Sequence, residues 1–107
     1  LFETWVISEL LKARYNVGET SNLYFWRDRS GHEVDLLIDH GIHLSPLEIK
    51  SGQTINQDYF KGLEFWQKLA GDTAGKAWLV YGGDTRQIRS DVTVLPWHEI
   101  NSEQIVI

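Results

Sequence analysis

The stretch Gly31-His-Glu-Val-Asp35-Leu-Leu-Ile-Asp39-His-Gly41-Ile-His-Leu-Ser-Pro46-Leu-Glu48-Ile-Lys50-Ser-Gly52 decides the reading of this chain. Glu33 to Asp39 and Ile42 to Lys50 are rich in Leu and Ile and are separated by His40-Gly41, so they read as two antiparallel strands joined by a tight turn. With His40-Gly41 as a two-residue loop, Asp39 faces Ile42 and Asp35 faces Pro46. Residues two apart on a strand share a face, which sets Glu48 and Lys50 roughly 7 Å apart along the strand axis. Asp35 falls on that same face, diagonal to Glu48, at about 7 to 8 Å between backbone positions.

Two carboxylates and an amine on one sheet face have a definite chemical use. Hard oxygen ligands such as Asp35 and Glu48 suit Mg²⁺ or Mn²⁺, with the Ile49 carbonyl as a further oxygen. Lys50 is placed to orient or help deprotonate a water and to offset phosphate charge. The bland alternative is a polar sheet face on which Asp35, Glu48 and Lys50 form an ion-pair network.

Outward from this hairpin, Leu1 to about Tyr15 reads as an amphipathic helix, with Phe2, Val6, Leu10 and Ala13 on one side and Asn16 and Gly18 ending it. Glu3 lies within the angular range of Val6, Ile7 and Leu10, where a carboxylate is costly unless paired or metal-bound. It is therefore the fourth candidate site residue, with Glu9 in reserve; a carboxylate near a helix start is equally favourable without catalysis. Asn22 to Trp26 is a strand and Arg27 to Gly31 a turn. Ile55 to Ala70 has helical spacing, and Lys76 to Tyr81 is a buried strand. Gln87 to Arg89 and Val92 to Leu95 are expected as edge strands, followed by a turn or short helix at Pro96 to Ile100 and a less regular tail to Ile107. The order α, β, β, β, α, β predicts an α/β fold, a mixed sheet with helices on both faces.

Composition bounds the function. One domain is the default for 107 residues. The opening Leu1-Phe2-Glu3, inside a helical pattern and without Met, suggests a fragment excised from a larger protein. Without cysteine, disulfides and Cys-ligated zinc are excluded. No run approaches a bilayer span and no secretion signal is visible, so a cytoplasmic protein without membrane contact is expected. The net charge of −5 argues against strong nonspecific nucleic-acid binding by this domain alone. Arg27, Arg29 and Lys61 form a thin candidate rim for phosphate. His32 could reach a substrate or simply shape its turn, whereas His40, His43 and His98 lack zinc spacing. The aromatics Trp5, Tyr24, Phe25, Trp26, Phe65, Trp66 and Trp78 are assigned to the core, one or two of them being candidates to stack on bases.

Several of these segments together resemble a known family: Leu1-Phe-Glu3, Glu9-Leu-Leu-Lys12, Tyr24-Phe-Trp-Arg27, Gly31-His-Glu-Val-Asp35, Leu47-Glu-Ile-Lys-Ser-Gly52, Lys61-Gly-Leu63 and Val94-Leu-Pro96. Over nearly its whole length the chain is similar to the C-terminal domain of the DUF4143 family. That domain follows an AAA-type ATPase domain in many proteins and resembles the PD-(D/E)xK, Holliday-junction-resolvase-like nuclease fold. The resemblance implies a restriction-endonuclease-like αβββαβ core, with Asp35 at the motif aspartate, Glu48 and Lys50 at its ExK positions, and Glu3 at the helix glutamate. Val34 stands where the motif has proline. It implies a metal-dependent domain that cleaves phosphodiesters of DNA and is attached to an ATPase. A catalytically inactive interaction or nucleic-acid-docking module, or an oligomerisation domain for the ATPase, would use the same scaffold.

Overall fold

In the computed structural model, which describes residues 1–100 and Ile105, the chain forms a mixed six-stranded sheet with a helix against each face. Helix α1 spans Phe2–Asn16 and is followed by strands β1 (Leu23–Arg27), β2 (Glu33–Asp39) and β3 (Leu44–Lys50). A 3₁₀ turn at Gln57–Phe60 leads into α2 (Lys61–Ala70), and strands β4 (Ala77–Tyr81), β5 (Gln87–Arg89) and β6 (Val92–Pro96) complete the sheet. The strand order is β1-β2-β3-β4-β6-β5, antiparallel through β1, β2 and β3, then parallel through β3, β4 and β6. The expected α/β architecture is therefore present. The expected tail beyond Ile100 lies outside the described residues except for Ile105, which is buried.

Helix α1 ends as its sequence predicts. Gly18 takes a φ of 80°, its N–H donates to Tyr15 O at 2.9 Å, and Glu19 N–H reaches back to Arg14 O at 3.2 Å. This closes the last turn with a left-handed glycine, the usual way of satisfying orphan carbonyls. Val6 and Leu10 of α1 bury against Leu36, Ile38, Leu47, Ile49, Trp78, Val80 and Leu95 on one side of the sheet. On the other side, Leu63 and Trp66 of α2 meet Val34, Leu37, Leu79, Val92 and Val94. The alternation along β3 and β4 divides their side chains between the two cores, as a sheet covered on both faces requires.

Four expectations need correcting. The β2–β3 loop is His40 to His43, four residues rather than two, closed by a His40 N–H to His43 O bond of 2.9 Å. Asp39 thus pairs with Leu44, and β3 begins at Leu44, not Ile42. Val92–Pro96 is not an edge strand: it lies between β4 and β5 and is buried throughout. The second helix opens as a 3₁₀ turn, since Asn56 accepts the Asp58 N–H at 2.8 Å and caps a tight first turn. Finally, Tyr24 and Phe25, expected in the core, are 54% and 77% exposed, because β1 is an edge strand.

The β5–β6 hairpin turns through Ser90 and Asp91, with φ of 51° and 64°. Two consecutive left-handed residues make a type I′ turn, which favours glycine at the second position. Asp91→Gly is expected to raise stability by about 1 kcal/mol, read as a higher urea midpoint with an unchanged slope.

Candidate functional site

Strand β2 carries an irregularity at the residue that matters most. Between the pairs Tyr24↔Leu37 and Trp26↔Val34, β1 advances two residues while β2 advances three. Asp35 and Leu36 together therefore oppose Phe25, a β-bulge on β2. Val34 and Leu37 accordingly enter the same core although three residues apart, which simple alternation forbids. Bulges break the ladder locally and re-aim side chains, often beside functional sites.

At this bulge the carboxylates replace backbone ladder partners. Asp35 N–H donates to Glu48 Oε1 at 2.8 Å, and Ile49 N–H donates to Asp35 Oδ2 at 2.8 Å. The regular β2–β3 register runs only as far as Leu36↔Leu47, and its continuation would set Asp35 directly opposite Glu48. Each acid holds the other strand's backbone. Lys50 Nζ lies 3.5 Å from Glu48 Oε2 and 5.6 Å from the centre of the Tyr59 ring. The remaining carboxylate oxygens, Asp35 Oδ1 and Glu48 Oε2, are thus left for a ligand, the second of them shared with the ammonium.

Burial governs the charge state. Glu48 is only 5% exposed, and this burial, reinforced by the Asp35 charge, pushes its carboxyl up to about 7 against the counter-pull of the Asp35 N–H and Lys50. Asp35 is raised as well, first by burial and then by the Glu3 and Glu33 charges, with the Ile49 N–H and Lys50 opposing. A buried acid beside a half-buried one resists ionising together with it, so the pair gains its full negative charge only near or above neutral pH unless a cation joins it.

Helix α2 approaches the site through a glycine. A Cβ at Gly62 would stand 2.7 Å from the Glu33 carbonyl oxygen and 3.8 Å from Glu48 Oε2. This close backbone approach is what seals Glu48 from water on that side.

Glu3 is placed differently. It sits exposed at the start of α1, on the helix that covers the opposite face of β3, and lines a cavity of about 210 Å³ with Ile49 and Ser51. Its charge reaches Asp35, yet among the described residues no group of three or more His, Cys, Asp or Glu is arranged to hold an ion. The structure thus brings Asp35, Glu48 and Lys50 together, with Ile49 supplying its N–H to Asp35, and leaves Glu3 beside them. Glu9 pairs with Lys12 at 3.2 Å.

The chain's family follows from comparison with known proteins. Residues 1–100 match the model of the family described as Domain of unknown function (DUF4143). The chain belongs to that family. No curated protein and no solved structure matches this DUF4143 domain.

The other sequence candidates have structural employment in the DUF4143 domain. His32 Nδ1 lies 2.9 Å from Asp28 Oδ2, and its ring stacks on Phe65 with centroids 3.7 Å apart. Asp28 Oδ1 also accepts the Ser30 and His32 N–H groups, so this pair shapes the β1–β2 turn. Of the expected basic rim, Arg27 lies 3.8 Å from Glu33 and Lys61 3.0 Å from Asp58. Sequence reasoning missed Gly62 and Tyr59, the two residues by which α2 and its preceding turn flank Glu48 and Lys50. The signal for Gly62 was a glycine in the first turn of an otherwise good helix, which costs about 1 kcal/mol unless packing requires it.

Proposed function

We propose that this chain is a metal-dependent, nuclease-like DNA-processing domain that cleaves phosphodiesters, built on the restriction-endonuclease-like PD-(D/E)xK plan and working with an AAA-type ATPase domain of the same protein. The observation that carries the reading is the crossed bonding at the bulge, where Glu48 accepts the Asp35 N–H and Asp35 accepts the Ile49 N–H, with Lys50 on the outer oxygen of Glu48. A site that merely pairs charges has no need of a buried acid beside a second, half-buried one, since the two repel each other and lose hydration.

The donor set fits Mg²⁺ or Mn²⁺. These ions use one or two carboxylates and keep several waters or substrate oxygens, and Asp35 Oδ1 with Glu48 Oε2 is such a pair. Bound there, the ion would polarise the phosphoryl oxygen and ease the deprotonation of an attacking water. Asp35 and Glu48 hold their orientation through the backbone amides they accept, so neither must reorganise during the reaction. Lys50, held between Glu48 and the Tyr59 ring, directs its ammonium charge toward a phosphate oxygen or the water. Glu3 and the Ile49 carbonyl are the further proposed ligands, and Glu3, exposed on the helix over the opposite face of β3, would have to reach around the strand end to join them.

The test is cleavage of duplex, branched and single-stranded DNA by the intact protein with Mg²⁺ or Mn²⁺. Cleavage should need the metal and vanish in Asp35→Asn. Lys50→Ala should slow it by about a hundredfold while Mn²⁺ binding persists, because Lys50 acts on substrate and water rather than on the ion. Failure to cut any of these DNAs would retire the enzymatic reading. The second reading, a non-catalytic interaction or nucleic-acid-docking module of the ATPase, is favoured by one observation, the exposed Tyr24 and Phe25 on edge strand β1. Turnover that depends on Lys50 would exclude it, and a size measurement would detect an oligomerisation role.

A further inference from the structure

Lys50, Tyr81 and Pro96 stand in register at the ends of the parallel strands β3, β4 and β6. The residues one step beyond them, Ser51, Gly82 and Trp97, line a cavity of about 350 Å³ that Phe2 and Trp5 of α1 complete. Pockets that take small organic groups start at about this size. The cavity shares Phe2 and Ser51 with the smaller one that holds Glu3 and Ile49. It also shares Gly82 and Trp97 with a cavity of about 450 Å³ that includes Thr54, Asp84 and His98. A groove therefore runs along the carboxyl ends of three parallel strands, where open α/β sheets bind ligands, and begins at Glu3 and Ile49, the residue between Glu48 and Lys50 on β3.

Its floor is backbone brought close by glycine. Gly82 N–H donates to Gly52 O at 2.9 Å, and a Cβ at Gly82 would overlap the Ser51 carbonyl. Its wall is aromatic: Trp5 and Trp97 meet edge to face at 5.6 Å and 74°. These two rings stay 39% and 41% exposed, whereas Trp66 and Trp78 are each 3% exposed. The groove thus presents two indoles to solvent, unlike the buried Trp66 and Trp78. No Lys or Arg lines the three cavities among the described residues, while Glu3 and Asp84 do. Phosphate is disfavoured in it. The complementary group is flat, uncharged and able to stack, as a nucleobase is, and a base inside a duplex has both faces already covered.

We infer that the Trp5–Trp97 groove stacks an unpaired nucleobase of a single-stranded DNA segment, next to the phosphodiester held at Asp35, Glu48 and Lys50. The inference rests on the proposed nuclease reading for the position of the phosphate, and it narrows the substrate to DNA with an unpaired nucleotide beside the scissile bond.

The test is fluorescence anisotropy of the 107-residue chain without divalent ions, so that binding is read without cleavage. The probes are a labelled oligothymidylate, an abasic strand of the same length and a duplex of that length. Oligothymidylate should bind about tenfold more tightly than the abasic strand or the duplex, and Trp97→Ala should remove about that factor. Trp97→Phe keeps a stacking ring and should restore most of it, with thermal melting by circular dichroism confirming that both variants fold. Equal binding of the abasic strand or the duplex, an unaffected Trp97→Ala protein, or no binding of any probe overturns the inference. Binding that follows Trp97 without any cleavage by the intact protein would sink the nuclease reading alone. Cleavage that needs Glu48 but ignores Trp97 would sink the stacking groove alone.

Discussion

Glu48→Gln is expected to slow DNA cleavage by at least about a hundredfold while making the protein more stable above neutral pH. The first effect is the loss of one of the two carboxylates proposed to hold the metal ion. The second follows from burial. In the folded chain Glu48 holds its proton up to about 7, whereas the unfolded chain releases it near 4.5. The folded state binds more protons across that interval, so the stability this group contributes is fully present below pH 4.5, declines as pH rises, and is gone above pH 7. The loss amounts to up to about 3 kcal/mol, with Asp35 adding in the same direction. Glutamine keeps an oxygen for the Asp35 N–H and carries no charge, so the slope of stability against pH should flatten in the variant. Urea titrations at pH 5 and pH 8 read the difference. Mg²⁺ added at pH 8 should recover stability in the parent protein and little or none in Glu48→Gln, because binding to the folded state alone is what stabilises.

Gly62→Ala should show the opposite sign from ordinary helix substitutions. In an exposed helix interior, replacing glycine with alanine gains about 1 kcal/mol. Here the added methyl would lie 2.7 Å from the Glu33 carbonyl oxygen, a backbone atom that cannot rotate away. Relief requires α2 to move off β2, opening the packing of Leu63 and Trp66 and the cover over Glu48. A loss of about 2 to 3 kcal/mol is expected, the scale of overpacking a tight core. The pH dependence of stability should weaken with it, since a wetter Glu48 ionises more readily. A stabilised Gly62→Ala protein would mean that α2 does not press on the site.

The residues that meet at the site were readable from the sequence, though by a partly mistaken route. The two-residue loop at His40-Gly41 proved to be four residues long, which moves the β2–β3 register by two. A shift of two preserves which residues share a face, so Glu48 and Lys50 stayed on the expected side. Asp35 moved from diagonal to directly opposite Glu48. The bulge at Asp35 and Leu36 was not legible, because all of Val34, Leu36 and Leu37 are apolar and an apolar run conceals a break in alternation. The position of Glu3 was legible only as a helix face. Whether that face reaches Asp35 depends on how α1 crosses the sheet, and α1 covers the side of β3 opposite to Glu48. The exposed Tyr24 and Phe25 were misplaced for a related reason, since sequence periodicity does not say which strand lies at an edge.

Anomalous diffraction from Mn²⁺-soaked crystals grown near pH 8 tests most directly whether the Asp35 and Glu48 carboxylates at the bulge are a metal site. A single peak between the Asp35 and Glu48 carboxylates, absent in Glu48→Gln crystals, is the predicted result. Full-occupancy Mn²⁺ elsewhere with no peak at that pair would contradict it and leave Asp35 and Glu48 as a strand clasp.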